Sequence, residues 1–277
     1  MSLRHSALIL VLASVVTATE ARADQTSPFV MTDPSNFDLA TGFEFAVGQI
    51  DRAGLGTTVA GLQGWIHWPV GDRWTFSGRL PIIYATNDTN DGGTLGNLTF
   101  DGTFFINARK RRRAVRMSGL NISVSAPTAG DRGDGAFASG TWTDYFSINP
   151  GLYAPGATTI RLHGLWRTEG YRYFGQVEFG VHQMINRNAD DNTLLRAGVA
   201  VGFKISRALV LIGELTNMSD VLDESRGGED FWHTLDLGIR ANTGRAGVLG
   251  LRAYLPLDRS MRNRGAFGLM LGYEVYL

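Results

Sequence analysis

The sequence predicts an all-β protein: a transmembrane, antiparallel up-and-down β-barrel of about twelve strands, with fourteen as the alternative. Three observations lead there. Residues 1–23 have the layout of an export signal, so the remaining chain meets an extracytoplasmic environment. From Phe37 to Leu277, large apolar side chains recur at every second position with small or polar residues between them. No stretch reaches the ~18 consecutive apolar residues that a crossing helix needs. Strands with one greasy and one polar face satisfy their backbone in lipid only as a closed barrel, apolar side outward and polar side to a lumen.

The export segment has a basic start at Arg4 and His5, an apolar run from Ala7 to Val16, and a small-x-small site at Ala21-Arg22-Ala23. The mature chain is expected to begin at Asp24, with residues 24–277 forming the barrel. Lys and Arg number 26 and Asp and Glu 26, so no global field recruits nucleic acid. Cysteine is absent, which removes disulfides and thiolate chemistry. Thirty-five glycines among aromatic and β-branched residues suit sheet with tight turns.

In chain order, residues 24–36 read as a periplasmic lead-in. The first strand, about Phe37 to Gly48, turns Phe37, Leu39, Phe43, Phe45 and Val47 outward, and Asp38 and Glu44 inward. A turn at Asp51 to Gly56 leads to a strand ending in Trp65-Ile66-His67-Trp68, and Pro69 to Arg73 turns again. The third strand presents Trp74, Phe76, Leu80, Ile82 and Tyr84 outward and Arg79 inward. Trp65, Trp68, Trp74 and Tyr84, gathered at strand ends, fit interfacial girdles. Thr86 to Gly96 reads as a polar outer loop; its Asp88, Asn90 and Asp91 fail the calcium-hand spacing at Gly92 and Thr99. Leu98 to Ala108 alternates again, with Asp101 and Asn107 inward, and the Arg109 to Arg113 run reads as a solvated periplasmic turn.

Leu120, Ile122 and Val124 then face out, against Asn121, Ser123 and Ser125. Ala126 to Thr143 is the longest outer loop, and its Arg132-Gly133-Asp134 tripeptide carries no adhesive meaning by itself. Tyr145 to Tyr153 and Thr159 to Arg167 are two possible strands, the first weakened by Pro150 and Pro155. Beyond them, Val177, Phe179 and Val181 face out while Gln176, Glu178 and His182 face in. Later strands put Arg196, Lys204, Glu214, Trp232, Asp236, Arg240, Arg252 and Tyr254 inward. The last, Gly265 to Leu277, sets Phe267, Leu269, Leu271, Tyr273 and Val275 against Gly268, Gly272 and Glu274. Roughly thirteen strands result, but a single-chain barrel with both termini on one side needs an even number, so Tyr145 to Tyr153 is assigned to loop.

The lumen-facing residues Glu44, Arg79, Glu178, His182, Glu214, Asp236, Arg240, Arg252 and Glu274 line the expected passage. Those on the last strands and the first, Glu44, Glu214, Asp236, Arg240, Arg252 and Glu274, are expected to pair into a lattice, because isolated charges in a narrow lumen are costly. Such a lattice either fills the barrel or lines a selective path. His163 and His182 face inward, but neither sits beside a serine in a recognisable nucleophile motif, so no catalytic residue, metal or cofactor is expected.

The ending resembles the C-terminal targeting signal of bacterial outer-membrane barrels, through Gly272, Val275 and Leu277, with Leu277 where phenylalanine is usual. Several segments together resemble the outer-membrane family named for the meta-pathway of phenol degradation, relatives of hydrophobic-compound channels. They are Gly71-Asp72-Arg73 before Arg79-Leu80-Pro81, Ser125-Ala126-Pro127-Thr128-Ala129-Gly130-Asp131 at a strand end, and Gly213-Glu214-Leu215. The resemblance implies a monomeric barrel passing small apolar or aromatic molecules and brings no catalytic residues. Passive uptake through the outer membrane is therefore the leading expectation, with the barrel-assembly machinery, membrane lipid and a small solute as partners. The rival expectations are a structural or adhesive barrel acting through its outer loops, a lipid-modifying enzyme, and a soluble secreted β-sandwich.

Overall fold

The computed structural model describes residues 39–277 except 53, 112–113, 147–148, 188–190, 222–230, 245–246 and 259–264. The expected export segment and lead-in, with Phe37 and Asp38, lie outside the described residues, as do parts of the basic turn and of the loops after β7, β9 and β11.

Twelve spanning strands close into one antiparallel barrel. They are β1 (Ala40–Arg52), β2 (Leu55–Val70), β3 (Trp74–Thr86), β4 in two segments (Asp91–Leu95 and Thr99–Arg111), β5 (Ala114–Ser125) and β6 (Ala157–Glu169). There follow β7 (Tyr173–Asn186), β8 (Asn192–Lys204), β9 (Leu209–Asp220), β10 (Phe231–Asn242), β11 (Val248–Pro256) and β12 (Phe267–Tyr276). Neighbours in sequence are neighbours in space, and β1 closes on β12 from Ala40↔Tyr276 to Gln49↔Phe267. Closure leaves no open sheet edge to meet lipid. Leu277 N–H donates to Leu39 O at 2.9 Å, so the two ends of the described chain leave the same rim. By the usual disposition of such barrels, that rim is periplasmic and the rim with the longer loops is extracellular.

The period of two sorts side chains as the sequence predicts. Phe45, Ile82, Ile122, Leu162, Val201 and Leu269 are exposed on the outer face. Their inward neighbours, such as Ala46, Ser123, Arg161, Ala200 and Met270, are buried. An apolar outer belt of this extent is unstable in water and stable in hydrocarbon, which places the barrel in the outer membrane. Towards the periplasmic rim, Trp68, Phe76, Trp74 and Phe104 form an outward ladder of rings with centroids 6.1, 5.9 and 4.8 Å apart. It forms part of the expected interfacial girdle.

Three expectations are corrected. Asp91–Leu95 is not loop: it pairs with β3 as the outer segment of β4, leaving only residues 87–90 as the connection. Between its two segments β4 slips on β3, from Ile82↔Leu95 to Arg79↔Thr99, so that Gly96, Asn97 and Leu98 bulge from the wall. A second bulge at Ile106 turns Asn107 outward, not inward, and the parity of β4 reverses there. Ala126 to Thr143 is not an external loop. Its second half and the residues that follow form the helix α1 (Gly133–Tyr145), folded into the lumen. The proline-marked stretch assigned to loop does lack a strand: a short 3-10 turn spans Pro150–Leu152 and β6 begins at Ala157.

Candidate functional site

An eight-stranded barrel is filled by its own side chains, whereas a wider one needs a plug or holds water. Here α1 provides the filling in the extracellular half. Its composition is unpromising for a helix, since Gly133, Gly135, Gly140 and three Ser or Thr hydroxyls give little intrinsic propensity. The hydroxyls turn back on the helix itself. Ser139, Thr141 and Thr143 donate to the carbonyls of Gly135, Phe137 and Ser139 at 2.6, 2.7 and 2.8 Å. That satisfies them away from water and makes the helix compatible with a dry chamber. Gly133, with φ of 51°, opens the first turn, and Asp134 sits favourably at the positive end of the dipole.

The last turn carries the contacts. Trp142 lies over Gly61 of β2, where an added Cβ would come within 2.7 Å of its ring, and its Nε1–H donates to Tyr84 O at 3.0 Å. Tyr145 inserts its hydroxyl between Gly48 and Gly268, which face each other across the β1–β12 closure. Phe146, Tyr153 and Tyr254 surround these rings, with centroid separations of 5.1–6.0 Å. The barrel wall contributes Ala46, Ile50, Val59, Ile83, Ala85 and Met270, all buried. Burial pushes the Tyr145 and Tyr153 phenols above the ordinary tyrosine range, so both stay neutral.

One residue ties this insert to the wall. Asn97, at the bulge of β4, is fully buried. Its amide donates to Gly151 O and Ala154 O at 3.1 and 2.9 Å, and its carbonyl accepts from Ala129 N–H at 2.9 Å. Its backbone N–H donates to Leu152 O at 2.7 Å. Thr128 Oγ1 bridges Leu98 N–H and Gly96 O beside it. Each buried polar group left without its partner costs roughly 1–3 kcal/mol. Asn97→Ala is therefore expected to raise amide exchange across residues 133–154 by at least an order of magnitude, with β7 to β9 unchanged; equal protection would show that Asn97 is not the anchor. Nothing in the sequence marks Asn97 except its place beside a glycine between two strand segments.

Below the aromatic chamber, the lumen is ionic. Glu44, Arg79, Glu178, His182, Glu214, Asp236, Arg240, Arg252 and Glu274 are buried or half-buried on the inward parity of their strands. Arg252 donates to Glu44 Oε1 at 2.9 Å and to Asp236 Oδ1 at 3.2 Å, joining β11 to β1 and β10. Glu214 is buried beside Asp236 in the register of β9 and β10, while Arg240 and Glu274 stand nearer the periplasmic rim. Opposite this group, Asp101 lies between Arg79 and Arg161, each at 3.4 Å. Arg161 also donates to Ser123 and to Asn149. At the periplasmic end Glu169 joins Arg167 at 2.9 Å and Lys204 at 2.7 Å, with the Arg167 guanidinium 4.4 Å above the Phe174 ring. Asp101, Arg161, Arg167 and Glu169 are inward by strand parity, and their pairing is visible only once the register is known.

His163 and His182 come together, Nε2 to Nε2 at 2.6 Å, with rings nearly parallel. His163 Nδ1 lies 2.5 Å from Glu178 Oε1, and Arg196 approaches the same oxygen at 3.7 Å. Gly180 leaves room for the His163 ring against the neighbouring strand. Each of these ion pairs sets opposite charges side by side, so the described lumenal residues form no one-signed track for a charged solute.

A closed twelve-stranded barrel with an apolar belt and a paired polar lumen defines an outer-membrane β-barrel protein. The NanC porin has the same fold, with a TM-score of 0.53 at 9% identity over 86% of this chain and 99% of the porin. The KdgM porin gives 0.46 at 6% identity over 86% and 99%, and the β domain of the Bordetella autotransporter BrkA gives 0.49 at 16% identity over 87% and 100%. No protein-family model matches the chain, and no curated protein matches it in sequence.

Proposed function

We propose that this protein is a gated outer-membrane channel for small apolar or aromatic molecules, with α1 as the gate and no enzymatic role. One observation carries the reading: the inner wall of the extracellular half is apolar. Barrel lumens are ordinarily polar, yet Ile50, Val59, Ile83 and Met270 turn inward here and line a chamber of the kind an apolar solute needs. The local resemblance to the phenol meta-pathway barrels, through Gly71-Asp72-Arg73 and the Ser125 to Asp131 segment, supports the same solute class. The pairing of lumenal charges supports an uncharged cargo, since an ion would find each fixed charge already answered. Burial of Ser139, Thr141 and Trp142 withdraws most of α1 from any external partner, which disfavours adhesion through this segment.

The test is naphthalene entry into cells bounded by a lipopolysaccharide outer leaflet, with and without the protein. Faster entry with the barrel present is the expected result, and identical rates would end the uptake reading. Replacing His163 and His182 together by alanine is expected to leave the lipid A and phospholipid profile unchanged. A changed profile would instead make the Glu178–His163–His182 cluster an enzyme's.

A further inference from the structure

We propose that the glycine-floored seat now holding Trp142 and Tyr145 is the solute-binding site, that its ligand is a small planar aromatic with a single hydrogen-bond donor, and that the two side chains occupy it as internal competitors. The inference rests on the channel reading above and adds where the solute docks and what it displaces.

The seat is built for flat rings. Gly48 faces Gly268 across β1 and β12, while Ala46 faces Gly61 across β1 and β2, so three glycines cluster on adjoining strands. Together they leave bare peptide backbone where side chains would otherwise stand. A Cβ at any of them would collide with the ring that rests there. Around this floor stand Ile50, Val59, Ile83 and Met270, and the Tyr254 and Tyr153 rings close the sides at 5.6 Å from Tyr145 and 5.2 Å from Trp142. Aromatic faces at such separations favour inserted π systems over saturated rings of equal size.

The polar provision is equally specific. Tyr84 O accepts the Trp142 indole N–H at 3.0 Å, which gives a visiting molecule one acceptor for one donor. The Tyr145 hydroxyl, by contrast, is buried with no hydrogen-bond partner among the described residues. The seat thus suits the Tyr145 ring and not its hydroxyl, which weakens the internal ligand relative to an external one that makes no such mismatch. Displacement needs no new cavity: α1 vacates a site whose shape the strands already hold.

Indole, the side chain of Trp142 as a free molecule, is the direct probe. Binding of 5-fluoroindole to the detergent-solubilised barrel is followed by fluorine NMR. Trp142→Ala is expected to tighten binding at least tenfold over the native chain, because the competitor has gone. Tyr145→Phe is expected to weaken it about fivefold or more, because the plug then loses its buried unmatched hydroxyl. Gly61→Val, or the milder Gly61→Ala, placed in the Trp142→Ala background is expected to abolish the gain, with retention of the fold checked by the shift in gel mobility on heating. Cyclohexanol, of similar size but saturated, is expected to compete at least tenfold less well than indole. Equal affinity in the native and Trp142→Ala chains, or a gain that survives filling of the Gly61 floor, would overturn the assignment. Naphthalene uptake without these changes would sink the seat and spare the channel; no uptake would remove the channel itself.

Discussion

Replacing Trp142 by alanine is expected to turn a nearly silent barrel into a leaky one. Truncating a buried Trp costs roughly 3–5 kcal/mol, and here that cost falls on the plugged arrangement alone. Trp142 touches the wall only while α1 is seated, over Gly61 and against Tyr84 O. At about 1.4 kcal/mol per tenfold, the ratio of unseated to seated helix rises by roughly two to three and a half orders of magnitude. The strand ladders contain no part of this interaction, so the barrel itself should persist. Liposome swelling with small sugars checks it: little swelling from the native chain and rapid swelling from Trp142→Ala, with Trp142→Phe between them. If the alanine variant stays as tight as the native chain, α1 is filling and not a gate.

The second large effect is expected at Arg252. This guanidinium is buried and answers both Glu44 and Asp236. Removing it strands two carboxylates in one confined space, and breaking a buried pair from one side typically costs 3–5 kcal/mol. Arg252→Ala should therefore lower the urea midpoint of the folded barrel markedly. Removing the carboxylates as well, in Glu44→Gln with Asp236→Asn and Arg252→Met, should recover most of the loss, because neither partner is then left as a charge without its guanidinium. The same substitution also takes the guanidinium from beside the Phe146 ring, 5.8 Å away, so some loosening of α1 should accompany it. A midpoint unchanged in Arg252→Ala would mean that water reaches these groups and the lattice is not closed.

What the sequence made legible follows from which physical signals are local. Alternation is local, so Phe45 outward and Glu44 inward, or Leu251 outward and Arg252 inward, are readable from two adjacent residues. The grouping of Glu44, Asp236 and Arg252 needed only the further assumption that the last strands meet the first, which closure enforces. Non-local signals were harder to read. Bulges at Asn97 and Ile106 reverse parity without leaving a mark in composition, and the second turns Asn107 outward where unbroken alternation predicts the lumen. Helix α1 has weak propensity and no amphipathic stripe, because it is surrounded by protein on most sides and stands on wall residues from β1, β2, β3, β11 and β12. Its one legible trace is the run of Trp142, Tyr145 and Phe146, spaced three and four apart in an otherwise small and polar segment. The glycines at 48, 61 and 268 looked like ordinary strand glycines, and their role appears only with the rings that rest on them.

Single-channel recording in planar bilayers tests the central claim most directly, by comparing the native chain with one in which residues 133–145 are replaced by a short Gly-Ser linker. The expected result is a native barrel that is closed with rare, brief openings, and a deletion that conducts steadily at a larger unit conductance. Steady conductance from the native chain, or silence from the deletion, would contradict a lumen closed by its own helix.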